Sequence, residues 1–96
     1  MKPSELVKNK RSQILALTRQ FQLNNPKIFG SVVNGTDTEH SDLDILVEPL
    51  PQTTMFDICG LQVELETLLG IKVDVLTPRS LPEKFRRQVL LEAKPL

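Results

Sequence analysis

The sequence predicts an α/β fold: a small mixed sheet of three strands, or four, with flanking helices, in one domain spanning residues 1-96. Three observations predict it. Segments with apolar residues at helical spacing alternate with short β-branched runs, in the order α-β-α-β-α-β-α. The connection from Val47 to Lys72 is long enough to hold a helix and suits a parallel crossover. The link from Gly30 to Ser41 is short and suits a reversal of the chain, which would make the sheet mixed.

The segment from Ser4 to about Leu23 lacks Gly and Pro and places Ile14, Leu17 and Phe21 at helical spacing, so it predicts one helix, stopped by Asn24-Asn25-Pro26. Lys27-Ile28-Phe29 is a short strand that ends at Gly30-Ser31. Val32 to Asn34 make about one helical turn before Gly35. Leu43 to Val47 form the clearest strand, closed by Pro49 and Pro51. Ile58, Leu61, Leu65 and Leu68 mark a helix between Thr54 and Leu69, with Gly70 as its stop. Ile71 to Leu76 predict the third strand. Ser80-Leu81-Pro82-Glu83 has capping-box spacing and would open a last helix running through Phe85 and Val89 toward Ala93.

Composition excludes several classes of function. With 96 residues, 40% apolar and 25% charged, the chain matches an ordinary globular domain and leaves no room for a second one. Formal net charge is zero, so no nucleic-acid or membrane partner is expected. The charge is nonetheless sorted. Residues 28–71 hold eight Asp/Glu and no Lys/Arg, between flanks that carry six Lys/Arg each. Cys59 is the single cysteine, which rules out an intrachain disulfide and fits a reducing cytoplasm. No apolar run has the length of a signal peptide or a membrane span.

The acidic block carries the chemistry. Asp42 and Asp44 lie two apart at the head of a strand and so project from the same face, where their charges repel. A divalent cation would offset that repulsion, and Mg²⁺ suits such oxygen ligands. Val73-Asp74-Val75 sets a third carboxylate in an apolar strand that could lie alongside. Three convergent carboxylates predict a centre of one or two metal ions for phosphoryl or nucleotidyl transfer. Gly30-Ser31 supplies a tight turn, a hydroxyl and helix-terminal N–H groups for phosphate oxygens.

GSVVNGTDTEHSDLD resembles the Gly-Ser-x10-Asp-x-Asp signature of the DNA polymerase beta-like nucleotidyltransferase superfamily. The small size is similar to that of its minimal nucleotidyltransferases, the MNT antitoxins that pair with HEPN ribonuclease toxins. The similarity runs from the first helix to Glu92 and includes VDVLT around Asp74. It implies a nucleotidyltransferase fold in which Gly30, Ser31, Asp42 and Asp44 bind the nucleotide. Asp42, Asp44 and Asp74 would be the catalytic acids and the Mg²⁺ ligands, with Asp74 orienting or deprotonating the acceptor hydroxyl. ATP is the implied substrate, and AMP is the group passed to a tyrosine of the toxin. The alternative is an inactive antitoxin that neutralises its toxin by binding alone. Where members often carry an alanine and an arginine, this chain has Val33 and Asn34; Lys72 or Arg79 would have to supply a cation instead.

Three further features have plainer readings. His40 is expected to be a solvated loop residue, Cys59 a small core residue, and Lys84, Arg86 and Arg87 a solvated helix face.

Overall fold

Leu43, Ile45 and Val47 are fully buried because they line one face of β2 (Leu43–Pro49), an interior strand of the sheet. The computed structural model describes residues 1–96. Its sheet has four strands in the order β3-β2-β1-β4, built from β1 (Leu23–Phe29), β2, β3 (Val73–Leu76) and β4 (Lys94–Pro95). β2 runs antiparallel to β1 and parallel to β3, while β4 adds an antiparallel edge beside β1. The sheet is therefore mixed. The parallel pair is joined by α4 (Met55–Leu69).

On one face, α1 (Pro3–Asn9), α2 (Arg11–Gln20) and α4 close the main core, with Val7, Ile14, Leu61, Leu65 and Leu69 packed on the buried side chains of β2 and β3. Each such aliphatic side chain gains about 1.5–3 kcal/mol on leaving water. The ring of Phe21 lies on Gly60 of α4, where an added Cβ would come within 2.6 Å of it. On the other face the apolar layer is thin. Phe29, Leu46 and Leu81 are buried there, and Val89 and Ala93 pack against them. The helix over that face, α5 (Glu83–Glu92), buries no residue of its own. No helix is long and apolar enough to cross a membrane.

Thr54 caps α4 and pairs with Asp57 in a capping box, and Gly70 ends the helix in the left-handed region. Other expectations need correction. The first helix is two, because the chain turns at Lys10 and lays Pro3 and Val7 of α1 in the core. Asn24-Asn25-Pro26 belongs to β1 rather than to a helix end. The sheet absorbs it as a bulge, with Asn25 at φ 46° and the pairing shifted between Asn24 and Lys27. The third strand begins at Val73, not Ile71. Ser80 does not cap α5. It closes a capping box with Thr77 around a short 3-10 helix, Pro78–Ser80, and Pro82 precedes α5 without a side-chain cap. With this 3-10 turn, the divided first helix and β4, the element order is longer than the seven expected.

Candidate active site

The two halves of the Gly-Ser and Asp-x-Asp pattern touch. Gly30 follows β1 at φ 75°, a conformation that side chains other than hydrogen rarely adopt. An added Cβ at Gly30 would stand 2.6 Å from Oδ2 of Asp44, so the turn rests directly on that carboxylate. Ser31 opens α3 (Ser31–Asn34), and the N–H of Thr36 donates back to its carbonyl at 3.0 Å. The chain then closes a second turn. The Thr38 N–H donates to Oγ of Ser41 at 2.8 Å and the Ser41 N–H to the Thr38 carbonyl at 3.1 Å, which delivers Asp42 to the start of β2.

Strand register sets the acids. Asp44 faces Phe29 across the antiparallel pair and Asp74 across the parallel pair. Adjacent strands lie about 4.8 Å apart, so Asp44 and Asp74 are side by side. Both point away from the face that Leu43, Ile45, Val73 and Val75 bury, toward the thinly covered side. β3 is an edge strand, yet its outward N–H groups are not free. Val73 donates to Glu66 at 3.1 Å and Val75 to Gln62 at 3.2 Å, which fixes the strand that carries Asp74 against α4.

Asp42 is exposed, and its carboxylate lies 4.0 Å from Nζ of Lys72. That pair stabilises by no more than about 1 kcal/mol. Lys72 nonetheless places a cation at the site, whereas Arg79 makes no ion pair there. The Asp44 carboxyl is raised above the ordinary range, first by burial and then by the charges of Asp74 and Asp42. Carboxylate oxygens whose charge is unfavourable for these reasons fit a hard divalent cation. The side chains do not already form a cage, since no three acidic, His or Cys groups are clustered at ligand spacing. Asp42 turns to Lys72 instead.

Other candidates fall elsewhere. His40 is exposed in the loop. Cys59 is exposed rather than a core residue, because the inward side of α4 is taken by Leu61, Leu65 and Leu69. Lys84 and Arg87 are solvated, but Arg86 is not part of a free basic face. Its guanidinium donates to the carbonyls of Pro78 and Leu81 at 2.8 and 3.1 Å, tying α5 to the 3-10 turn. The two surface hollows, a groove of about 400 Å³ between α2 and α4 and one of about 370 Å³ along α5, contain none of the three acids. The acids sit on an open sheet face.

The sequence profile of the family described as polymerase beta, nucleotidyltransferase matches residues 12–96. The chain belongs to this family. Among curated members, protein adenylyltransferase MntA of Thermococcus cleftensis is 36% identical over 76 residues, covering 79% of this chain and 77% of its own. A solved minimal nucleotidyltransferase superposes with a TM-score of 0.86 at 39% identity, covering 97% of this chain and 95% of that one. A toxin–antitoxin structure with AMP-PNP superposes at 0.73 with 28% identity, covering 88% of this chain and 69% of the matched chain. The matched stretch includes Gly30, Ser31, Asp42, Asp44 and Asp74. One residue of the loop drew no notice in the sequence. Asp37 is buried in an otherwise exposed stretch and accepts a hydrogen bond from the backbone of Ser4. Only an acidic residue among hydroxyls marks it in the sequence, and that pattern also describes a solvated loop.

Proposed function

We propose that this chain is a Mg²⁺-dependent protein adenylyltransferase that acts as an antitoxin, moving AMP from ATP to a tyrosine of a HEPN-type ribonuclease toxin. The observation that carries the reading is the contact between the Gly30 turn and the Asp44 carboxylate, beside Asp74. It sets a Gly-Ser turn directly beside strand acids, an arrangement that suits transfer at a nucleotide phosphorus. Kinship with a protein named adenylyltransferase supports the reaction class, and resemblance to a toxin–antitoxin pair holding AMP-PNP supports both partner and nucleotide. A cytoplasmic setting goes with ATP as substrate.

In this reading the Gly30 amide and the Ser31 amide and hydroxyl hold the triphosphate oxygens. Asp42 and Asp44 would hold one or two Mg²⁺ ions, with Asp74 completing the set. Such ions, when bound, neutralise phosphate charge and align the triphosphate for in-line displacement. Asp74 orients the acceptor hydroxyl and receives its proton as that oxygen bonds to the α-phosphorus and the bond to the pyrophosphate oxygen breaks. Lys72, beside Asp42, offers the cation that Asn34 does not. Because the acids lie on an open sheet face, the acceptor protein must supply part of the surrounding surface.

The test is label transfer. The protein that associates with this chain in its own cells is mixed with the chain, Mg²⁺ and ATP labelled at the α-phosphate. Label on a tyrosine of the partner, lost by at least about a hundred-fold with Asp42→Asn/Asp44→Asn, is the expected result. A partner that stays unlabelled yet inhibited by both forms would show that docking alone is the function.

A further inference from the structure

Between the Gly-Ser turn and the strand acids, the loop residues Thr36, Thr38, Glu39 and His40 are exposed, but Asp37 is only 8% exposed. Its Oδ2 accepts the backbone N–H of Ser4 at 3.0 Å, across 33 residues of sequence. The donor is informative. Pro3 begins α1 and has no N–H, so Ser4 presents the first free amide of that helix, and Lys2 at the N-cap position makes no side-chain cap. Asp37 therefore caps α1 from a distance. Hydrogen bonding to Ser4 outweighs burial and holds its carboxyl below the usual range, so it is ionised in the conditions where ATP is used.

The anchor point divides the loop. On one side, Thr36 is bonded to Ser31; on the other, Thr38 and Ser41 close the turn that delivers Asp42. Each half is tied within itself, and Asp37, standing between them, is the residue bonded to another part of the molecule. α1 in turn is seated by buried Pro3 and Val7 in the main core, and its residues lie outside the 12–96 stretch that matches the family.

We infer that Asp37 is a positioning residue: strand pairing already sets Gly30 against Asp44, and by clamping the loop to the N-terminus of α1, Asp37 holds the turn that follows Ser31 and the turn that delivers Asp42 in place relative to that pair. It touches neither nucleotide nor acceptor. The clamp rests on the nucleotidyltransferase reading for its consequence, but its geometry does not depend on that reading.

The experiment compares the full chain with Asp37→Ala and Asp37→Asn, measuring label-transfer kinetics against ATP concentration and amide hydrogen exchange. For Asp37→Ala, the KM for ATP should rise roughly ten-fold, the scale of a displacement of a fraction of an ångström between binding groups. Exchange should quicken in residues 36–41 while the sheet amides stay protected. Asp37→Asn keeps a carbonyl acceptor and should recover most of both effects. An unchanged KM, with activity lost only in proportion to thermal stability, would reduce Asp37 to a structural cap and overturn the inference. If the wild-type chain transfers no label, the functional reading has failed separately and exchange decides alone. Faster exchange confined to 36–41 supports the clamp, and unchanged or uniformly faster exchange overturns it.

Discussion

At Gly30 two constraints coincide, a φ of 75° and a carboxylate oxygen 2.6 Å from where a Cβ would be. Alanine there must strain the backbone by about 1–2 kcal/mol and push Asp44 aside. Gly30→Ala should therefore lower label transfer by about a hundred-fold, since a misplacement near 1 Å costs that much, while circular dichroism remains native. Asp44 supports a second prediction, on pH. Its folded-state carboxyl is raised, first by burial, so the folded protein resists its ionisation. The stability tied to this group is fully present below the unfolded value near 3.8 and is lost as pH rises through the folded value. Asp44→Asn should accordingly raise Tm slightly at pH 7 and leave it unchanged at pH 3, as calorimetry at both pH values would show. The proximity of Gly30 to Asp44 was legible because their spacing along the chain encodes a strand-turn-strand unit. The partnership of Asp37 with Ser4 was not, since a cap supplied from 33 residues away leaves no local pattern.

Elements were legible where their own residues determine them. α4 has Thr54 and Asp57 at one end, Gly70 at the other and Leu61, Leu65 and Leu69 facing inward, so its bounds followed from its sequence. Removing its cap should cost about 1 kcal/mol. Thr54→Ala is expected to lower Tm by roughly 4–8 °C in a chain of this size, measurable by thermal unfolding, with nucleotide KM unaffected. Elements shaped by distant contacts were misread. Lys10 carries no local helix-breaking signal; the turn there follows from seating Pro3 and Val7. The Asn-Asn-Pro stretch reads locally as a helix terminus, but pairing of Asn24 with Glu48 and a bond from Asn25 to the Glu48 carboxylate at 2.8 Å hold it as a bulged part of β1. Ser80 sits at the right distance from Glu83 for a cap, yet Thr77 takes its hydroxyl first.

Across the whole molecule, the sheet divides stability from chemistry. One face holds the continuous core of α1, α2, α4 and the inward residues of β2 and β3; the other holds Asp44 and Asp74 beside a thin layer of Phe29, Leu46 and Leu81. Alternation along a strand puts these roles on adjacent residues, so Leu43 and Ile45 secure the backbone that aims Asp44 the opposite way. The two roles should therefore separate under mutation. Leu65 is fully buried in the core, and Leu65→Ala should cost about 2–5 kcal/mol through lost burial and a residual cavity. Unfolding by urea should show that loss as a lower midpoint with a similar slope. At a temperature where the variant remains folded, its KM for ATP should equal that of the wild type, because Leu65 belongs to the core on the sheet face opposite Asp44 and Asp74. Asp44→Asn should do the reverse, abolishing transfer while the urea midpoint holds or rises. A Leu65→Ala variant that is fully folded but has a raised KM would show that core packing sets the spacing of the acids, and the two-faced division would fail.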